Sequence, residues 1–226
     1  VKNDLEQYSD AMNKDIALVP HPTYNVFGSM VSKKKARENI GILEKKNQSH
    51  ERYILFFGLI RKYKGLDLLL DAMSSEKIRN LNITLIIAGE FYEKKDRYID
   101  LIRSYNLSDN IILHDHYIPN KEVASYFCSC NLVVQPYRSA TQSGVSMVAY
   151  NFNKPLILTN VGGLSDYVEH EVDGYLVMPN KEAIVLALHD YFSNNREEKF
   201  SQSIKSKKSL YSWENLASKF DALYQK

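Results

Sequence analysis

Tyr53-Ile-Leu-Phe-Phe-Gly-Leu-Ile-Arg-Lys-Tyr-Lys-Gly-Leu-Asp-Leu-Leu-Leu-Asp-Ala72 is an apolar run ending in glycine, a short basic loop, and then an apolar pattern at helical spacing. It reads as strand, loop and helix. Extended residues Tyr53 to Phe57 deliver Gly58 to a sheet edge, where the missing Cβ lets a ligand come close to the backbone. Arg61 and Lys64 follow just ahead of a helix start, whose free N–H groups and dipole favour an anion. Two cations beside such a helix end suit a diphosphate. Loops of this composition also occur in α/β proteins that bind nothing there, so the reading depends on the rest of the chain.

From residue 52 onward, short β-rich runs alternate with helical patterns. Strands are expected near 52–57, 82–88, 110–115, 131–135, 155–159 and 175–178. Gly65 precedes a stripe of Leu66, Leu69, Leu70 and Met73. Asn120 is expected to cap a helix over Lys121 to Cys128, and Asn180 to cap the helix bearing Ile184, Ala187 and Leu188. Strands such as Asn82-Ile-Thr-Leu-Ile-Ile-Ala88 are nearly continuously apolar, as in a sheet covered on both faces. The pattern predicts an α/β fold, a doubly wound Rossmann-like parallel sheet of about six strands with helices on both faces. Ligands bind such sheets at the carboxyl ends of the strands, which directs attention to the loops after Phe57, Ala88, Asp115, Gln135 and Thr159.

The 226 residues can bury one full core with appendages, and the 44% hydrophobic and 25% charged fractions are those of an ordinary globular protein. A net charge of +2 is too mild to argue for nucleic acid, and no such partner is expected. The apolar runs fall well short of the roughly 18 residues a spanning helix needs. The start, Val1-Lys-Asn-Asp-Leu-Glu-Gln-Tyr8, lacks an initiator methionine and a signal-peptide core, which suggests a piece of a longer chain. Residues 1–15 read as a helix remnant, and the prolines of Ala17-Leu-Val-Pro-His-Pro-Thr-Tyr24 make that stretch an extended linker. Cys128 and Cys130, one residue apart, suit neither an unstrained disulfide nor a zinc knuckle, so reduced thiols in a cytoplasmic protein are expected. His114-Asp-His116 puts two imidazoles on one strand face, but with no third ligand close in sequence no metal site is expected. The chain ends on a helical run, Ser212 to Tyr224, preceded by the lysine-rich stretch Lys205 to Lys208.

After the fourth strand comes Pro136-Tyr-Arg-Ser-Ala-Thr-Gln-Ser-Gly-Val-Ser-Met147, a polar loop of small residues feeding a helix. Thr141, Gln142, Ser143 and Gly144 would present hydroxyls, an amide and backbone N–H groups at that helix start, a nest for phosphate oxygens. The competing reading is that Ser and Thr only cap the helix while Gly144 packs on the sheet. A third segment, Lys154-Pro-Leu-Ile-Leu-Thr-Asn-Val-Gly-Gly-Leu-Ser-Asp166, gives a strand, a Gly162-Gly163 turn at the same sheet edge and another helix start.

Together, in this order, these segments resemble the C-terminal, donor-binding half of a GT-B glycosyltransferase of the retaining family 4 type. The resemblance runs from about Leu18 to Tyr224. Gly58 to Gly65 is similar to the family's glycine, basic, Lys-Gly motif, Lys154-Pro-Leu-Ile and Thr159 to Gly163 to its Gly-Lys-Pro-Val-Ile and Val-Gly-Gly segment, and Asp173-Gly-Tyr-Leu-Val177 to its Asn-Gly-Leu-Leu-Val. The resemblance implies that Gly58, Arg61 and Lys64 hold a nucleoside diphosphate, that the Ala140 to Val145 loop contacts pyrophosphate and sugar, and that Tyr117 and Ile118 line the nucleobase. Trp213 would begin the helix that crosses back onto the other domain.

The chain also departs from that pattern. Leu59 stands where the family has arginine, making Arg61 a shifted substitute. The family's glutamate-x7-glutamate signature would fall on Ala140 and Val148, neither of them acidic, so the ribose contact of the second glutamate is absent. Gln142 or Ser143 would take over the sugar contact. Ala140-Thr-Gln-Ser-Gly-Val145 is similar to a variant of this segment within the family, which implies a subgroup rather than a dead enzyme.

The resemblance implies a donor half comprising a remnant over 1–17, a nucleotide-sugar-binding unit over 18–210 and a crossover helix over 211–226. A nucleotide sugar would be the donor substrate with no cofactor. A sugar or lipid-linked acceptor and an N-terminal domain of the same chain would complete the enzyme, in polysaccharide or glycolipid synthesis. No acid-base residue is assigned, and the fragment alone would transfer nothing. Lys33 to Lys35 and Lys205 to Lys208 are candidates for peripheral contact with anionic lipid at the inner membrane face. A non-catalytic nucleotide-sugar-binding domain and a GT-B sugar-nucleotide epimerase are the alternatives. A Rossmann oxidoreductase is disfavoured because no G-x-G-x-x-G follows the first strand.

Overall fold

The computed structural model describes Val19, residues 21–42 and residues 52–224. The expected remnant over 1–17 and its boundary at residue 18 lie outside the described residues. Six strands form one sheet: β1 (Arg52–Phe57), β2 (Ile83–Ala88), β3 (Ile111–His114), β4 (Leu132–Gln135), β5 (Leu156–Thr159) and β6 (Gly174–Val177). Their order is β3-β2-β1-β4-β5-β6 and every pairing is parallel. This is the doubly wound arrangement anticipated from the apolar runs, and each expected strand is found with its ends within a residue.

Strand side chains alternate between two cores. Tyr53, Leu55, Ile86, Val133, Leu156 and Leu158 face one, with α1 (Lys33–Asn39), α5 (Asn120–Ser129) and α6 (Gly144–Asn151) packed over them. Ile54, Phe56, Leu85, Ile87, Val134 and Ile157 face the other, beneath α2 (Leu66–Met73), α3 (Glu76–Arg79), α4 (Asp96–Ser104) and α7 (Lys181–Ser193). Residues such as Ile54 and Leu55 are fully buried, each worth about 1.5–3 kcal/mol in water-excluded surface. Burial on both faces is why the strands read as unbroken apolar runs.

The Asn180 carboxamide caps α7 as expected, accepting from the Ala183 N–H at 2.9 Å. Two other helix starts differ from expectation. Asn120 is itself the first residue of α5, and Pro119, fixed at φ −62° and ψ 147°, is the cap. The segment after Gly162-Gly163 is a 3₁₀ turn over Gly162–Tyr167 instead of an α-helix. There Gly162 sits at φ +52°, and the Gly163 N–H is drawn to the Ala140 carbonyl at 3.2 Å.

Beyond α7, α8 (Glu197–Lys207) leads into a 3₁₀ turn at Lys208–Tyr211 and then α9 (Trp213–Tyr224). Lys207 Nζ reaches the buried Asp173 carboxylate at 2.8 Å, and Asp173 also accepts the Glu169 N–H at 2.8 Å. This ion pair fixes the turn that carries Tyr211. The Tyr211 carbonyl accepts the Thr23 N–H at 2.8 Å, so the segment preceding the sheet is pinned across the C-terminal end of the domain. α9 buries none of its residues, and Trp213, Phe220 and Tyr224 stand exposed along it. No helix of the described residues is long and apolar enough to cross a membrane.

Candidate functional site

The strand order reverses between β1 and β4, the place in a doubly wound sheet where ligands enter at the carboxyl ends of the strands. Gly58, just past β1, takes φ +94°, open to glycine and costly for other residues. A Cβ placed on it would lie 3.1 Å from Lys64 Nζ and 3.7 Å from Val145 Cγ2. Loops from β1 and β4 therefore meet at this residue. Lys64 ends a 3₁₀ turn, Lys62–Lys64, and is held there by Gly65 in the left-handed conformation against the Pro136 carbonyl. Its side chain is buried and doubles back toward Gly58. Burial, reinforced by the Arg61 guanidinium, lowers the ammonium pKa to about 8. Arg61 is exposed and lies over the Tyr92 ring at 4.3 Å. The loops after β1 and β2 are zipped beside it, with the Ile60 N–H on the Glu90 carbonyl at 2.8 Å and the Tyr92 N–H on the Ile60 carbonyl at 3.0 Å.

The two helix starts are not equivalent. The first turn of α2 contains Asp67, clamped by Arg138 at 2.7 Å and Arg97 at 2.8 Å, so the positive end of that helix already has an anion of its own. The first turn of α6 has no acidic residue. Ser143 caps it, with Oγ accepting the Ser146 N–H at 3.4 Å and donating to Gln135 Oε1 at 2.7 Å. Ser146 Oγ donates to the same oxygen at 3.2 Å. Gln135 is buried, and its Nε2 has no partner among the described residues. Ser143 is thus a cap, but Gly144 does not pack on the sheet. It is exposed, and its nearest neighbour is the Tyr24 ring, 3.5 Å from where a Cβ would stand. Thr141 and Gln142 are exposed on the same loop, and Val145 is half-buried beside Gly58. The Gly162-Gly163 turn supports this loop, because a Cβ at either glycine would collide with the Ala140 or Thr141 carbonyl. Of the two positions aligned with the family's acids, Ala140 is half-buried and Val148 is core.

On the β2–β3 side, Tyr117 is exposed on a cleft of about 580 Å³ lined also by Glu90, Phe91, Glu93, Lys95, Asp115 and His116. Lys95 and Asp115 pair across it at 2.5 Å. Ile118, expected beside Tyr117, instead turns into the core with Tyr126 and Phe127. His114 stacks on His116 at 6.1 Å and shares a 2.6 Å hydrogen bond with the Tyr126 hydroxyl. Burial, with His116 alongside, lowers the His114 pKa. Among the described residues no three His, Cys, Asp or Glu side chains are grouped to hold a metal. Both cysteines are free and buried, and burial pushes the Cys130 thiol up to about 11. A hollow of about 640 Å³ between α2 and α4 is lined by Asp67, Arg97 and Arg138, whose charges are paired with one another.

Gly58, Lys64 and Val145 thus meet at the carboxyl ends of β1 and β4, with Ser143 and Gly144 at the same helix start and Thr141 and Gln142 exposed beside them, while Arg61 lies over Tyr92 and Tyr117 lines the separate cleft. Sequence reading missed Tyr24, His21 and Gln135. The first two lie in a stretch read only as linker, and Gln135 ends a strand that otherwise reads as core.

This architecture is shared with solved structures, among them a glycosyltransferase. WaaG, involved in lipopolysaccharide biosynthesis, matches with a TM-score of 0.73 at 17% identity over 90% of this chain and 55% of its own. Anabaena Alr3699/HepE, solved in complex with UDP, matches with a TM-score of 0.69 at 16% identity over 88% of this chain and 55% of its own. These likenesses define a GT-B domain. Residues 39–208 match the family of glycosyl transferases group 1, and the chain belongs to that family. An uncharacterized glycosyltransferase of Methanocaldococcus jannaschii is 27% identical over 192 residues, covering 84% of this chain and 47% of that relative. The chain spans about half the length or less of the curated relatives it matches.

Proposed function

We infer that this chain is the donor-binding half of a glycosyltransferase of the retaining family 4 type that uses a nucleoside-diphosphate sugar. The observation that carries the reading is the meeting of Lys64, Gly58 and Val145 at the strand-order reversal, beside a helix start with no acidic residue in its first turn. Breaking the bond between the anomeric carbon and phosphate leaves negative charge on the diphosphate. Lys64, Arg61 and the first N–H groups of α6 would stabilise that charge from fixed positions, the arrangement that contributes most to many enzymatic rates. With its pKa lowered to about 8 by burial, Lys64 is still mostly charged at neutral pH, and an adjacent diphosphate would raise that pKa and hold the charge in place. Tyr117 would flank the base in the neighbouring cleft, and Ile118 would support it from below. The UDP complex of HepE, a protein of the same fold, supports a nucleotide as the ligand.

Residues 18–210 would form the donor unit and 211–226 the crossover helix, whose exposed Trp213 and Phe220 suit contact with the other half of the enzyme. The acceptor would be a growing polysaccharide or glycolipid, in keeping with the involvement of WaaG in lipopolysaccharide biosynthesis, handled in the cytoplasm with Lys33 to Lys35 near the membrane. The core valine at position 148 favours a second reading, a non-catalytic domain that binds nucleotide sugars without transfer. The test is to incubate the full-length protein with UDP-, GDP- and ADP-sugars and follow nucleoside diphosphate release and glycan products. Transfer dependent on Lys64 is expected. Binding with no transfer to any acceptor tried would favour the second reading, and acceptor-free epimerisation would displace both.

A further inference from the structure

The fold accounts for eight of the nine glycines. Six lie at positive φ, and at Gly163 and Gly174 a Cβ would come within 2.4 Å of a backbone oxygen. Gly144 has neither reason. Its φ is not positive, and the atoms nearest to where its Cβ would stand are Tyr24 Cε2 at 3.5 Å and the Tyr24 hydroxyl at 3.9 Å, ordinary contact distances. It is the first residue of α6, where alanine would be the better helix former. What glycine supplies here is open space between the helix N–H groups and the Tyr24 phenol.

Tyr24 is held in this place by the fold. Thr23 bonds the Tyr211 carbonyl through its N–H at 2.8 Å, and the Tyr24 ring packs on Phe27 at 6.3 Å. His21 Nδ1 faces the Pro22 carbonyl at 2.7 Å and must donate to it, which in the neutral ring leaves Nε2 to accept from the Tyr24 hydroxyl at 3.5 Å. At that length the hydroxyl is weakly engaged and free to donate elsewhere. Beneath the same turn, the Oε1 of the buried Gln135 amide accepts from Ser143 and Ser146, and its Nε2 has no partner among the described residues. That amide N–H₂ can donate to a water or to a further group seated at the helix start.

We propose that Tyr24 is a diphosphate-binding residue of the donor site, its phenol donating to a phosphate oxygen seated over Gly144 on the first turn of α6. The stretch before the sheet is then part of the binding site as well as a connection to the other half. This rests on the donor-site reading above, and the following experiment separates the two.

The full-length protein and its Tyr24→Phe, Gly144→Ala and Lys64→Ala variants are titrated calorimetrically with UDP, GDP and ADP, and each melting temperature is recorded. Tyr24→Phe keeps the ring and is expected to weaken the best-binding nucleotide about tenfold, the loss of one hydrogen bond to a charged group, without lowering the melting temperature. Gly144→Ala is expected to weaken it at least as much while melting at or above the wild-type temperature. If Lys64→Ala abolishes binding but Tyr24→Phe and Gly144→Ala bind as wild type, the role of Tyr24 is overturned and the donor site stands. If the wild-type protein binds none of the three nucleotides, both fall.

Discussion

The Lys64 ammonium lies 3.1 Å from the point where a side chain on Gly58 would begin, so the two residues share a single space at the end of β1. The glycine does two things at once. It takes the left-handed bend that turns the chain out of the sheet, and it leaves room for a cation pressed against the backbone. Gly58→Ala should therefore cost about 1–3 kcal/mol through backbone strain and also displace Lys64. Urea unfolding and nucleotide titration would check this, and an alanine variant with wild-type stability and affinity would refute the sharing of that space.

Lys64 should impose opposite pH trends on binding and on stability. Its pKa falls from 10.5 to about 8 on folding because burial disfavours the charge, with Arg61 adding to the effect. Between those values the unfolded chain holds the proton that the folded chain has lost. Stability from this group therefore rises with pH across that window, by up to about 1.4 kcal/mol per unit. Diphosphate affinity, which needs the ammonium, should fall as pH rises past about 8. Lys64→Met is expected to melt above wild type near neutrality, with the gap closing toward pH 10.5. A gap that widened with pH would reverse the sign of the effect.

Arg61 acts from the surface, stacked on Tyr92. Arg61→Ala should leave the melting temperature nearly unchanged and weaken nucleotide diphosphate binding roughly three- to tenfold at low salt, with less effect as salt screens the charge. Removing the guanidinium also removes one of the two causes that lower the Lys64 pKa, so the pH above which affinity declines should move upward. Affinity measured across pH in the two proteins shows whether the cations are coupled. Identical midpoints would mean they are not.

Ser143 is expected to matter for both stability and binding. Ser143→Ala removes the cap of α6 and one partner of Gln135, at about 1–2 kcal/mol. Because the freed first turn frays where the diphosphate would sit, affinity should drop with stability. A variant that loses stability but binds normally would move the phosphate away from this helix.

Asp173→Ala should destabilise the domain by about 1–3 kcal/mol, because it leaves Lys207 only its exposed Glu169 partner and leaves the Glu169 N–H without its acceptor. Chemical denaturation is the measurement, and a loss below about 1 kcal/mol would mean the pair is a surface contact in effect.

The sheet was legible in the sequence because strands buried on both faces are written as short unbroken apolar runs. Much of the crevice was legible too. Gly58, Lys64 and Ser143 to Val145 sit where strands end, and parallel topology brings strand ends to one edge. Side-chain direction was not legible. Lys64 reads as a cation beside a helix start with nothing to say that it is buried, while Ile118, expected to line the base, faces the core. Asp67, inside the apolar stripe of α2, gave no sign that it would occupy the positive end of its own helix and draw in Arg97 and Arg138. Tyr24 was beyond reach, since its place over Gly144 depends on the backbone bond from Thr23 to Tyr211 near the other end of the chain.

The central claim is that this crevice binds the diphosphate of a nucleotide. Calorimetric titration of the protein with UDP, GDP and ADP, repeated with Lys64→Ala, tests it most directly. Saturable one-to-one binding of one nucleotide, reduced at least tenfold by the substitution, is the expected result. Binding that is indifferent to Lys64 would place the nucleotide elsewhere and contradict the claim.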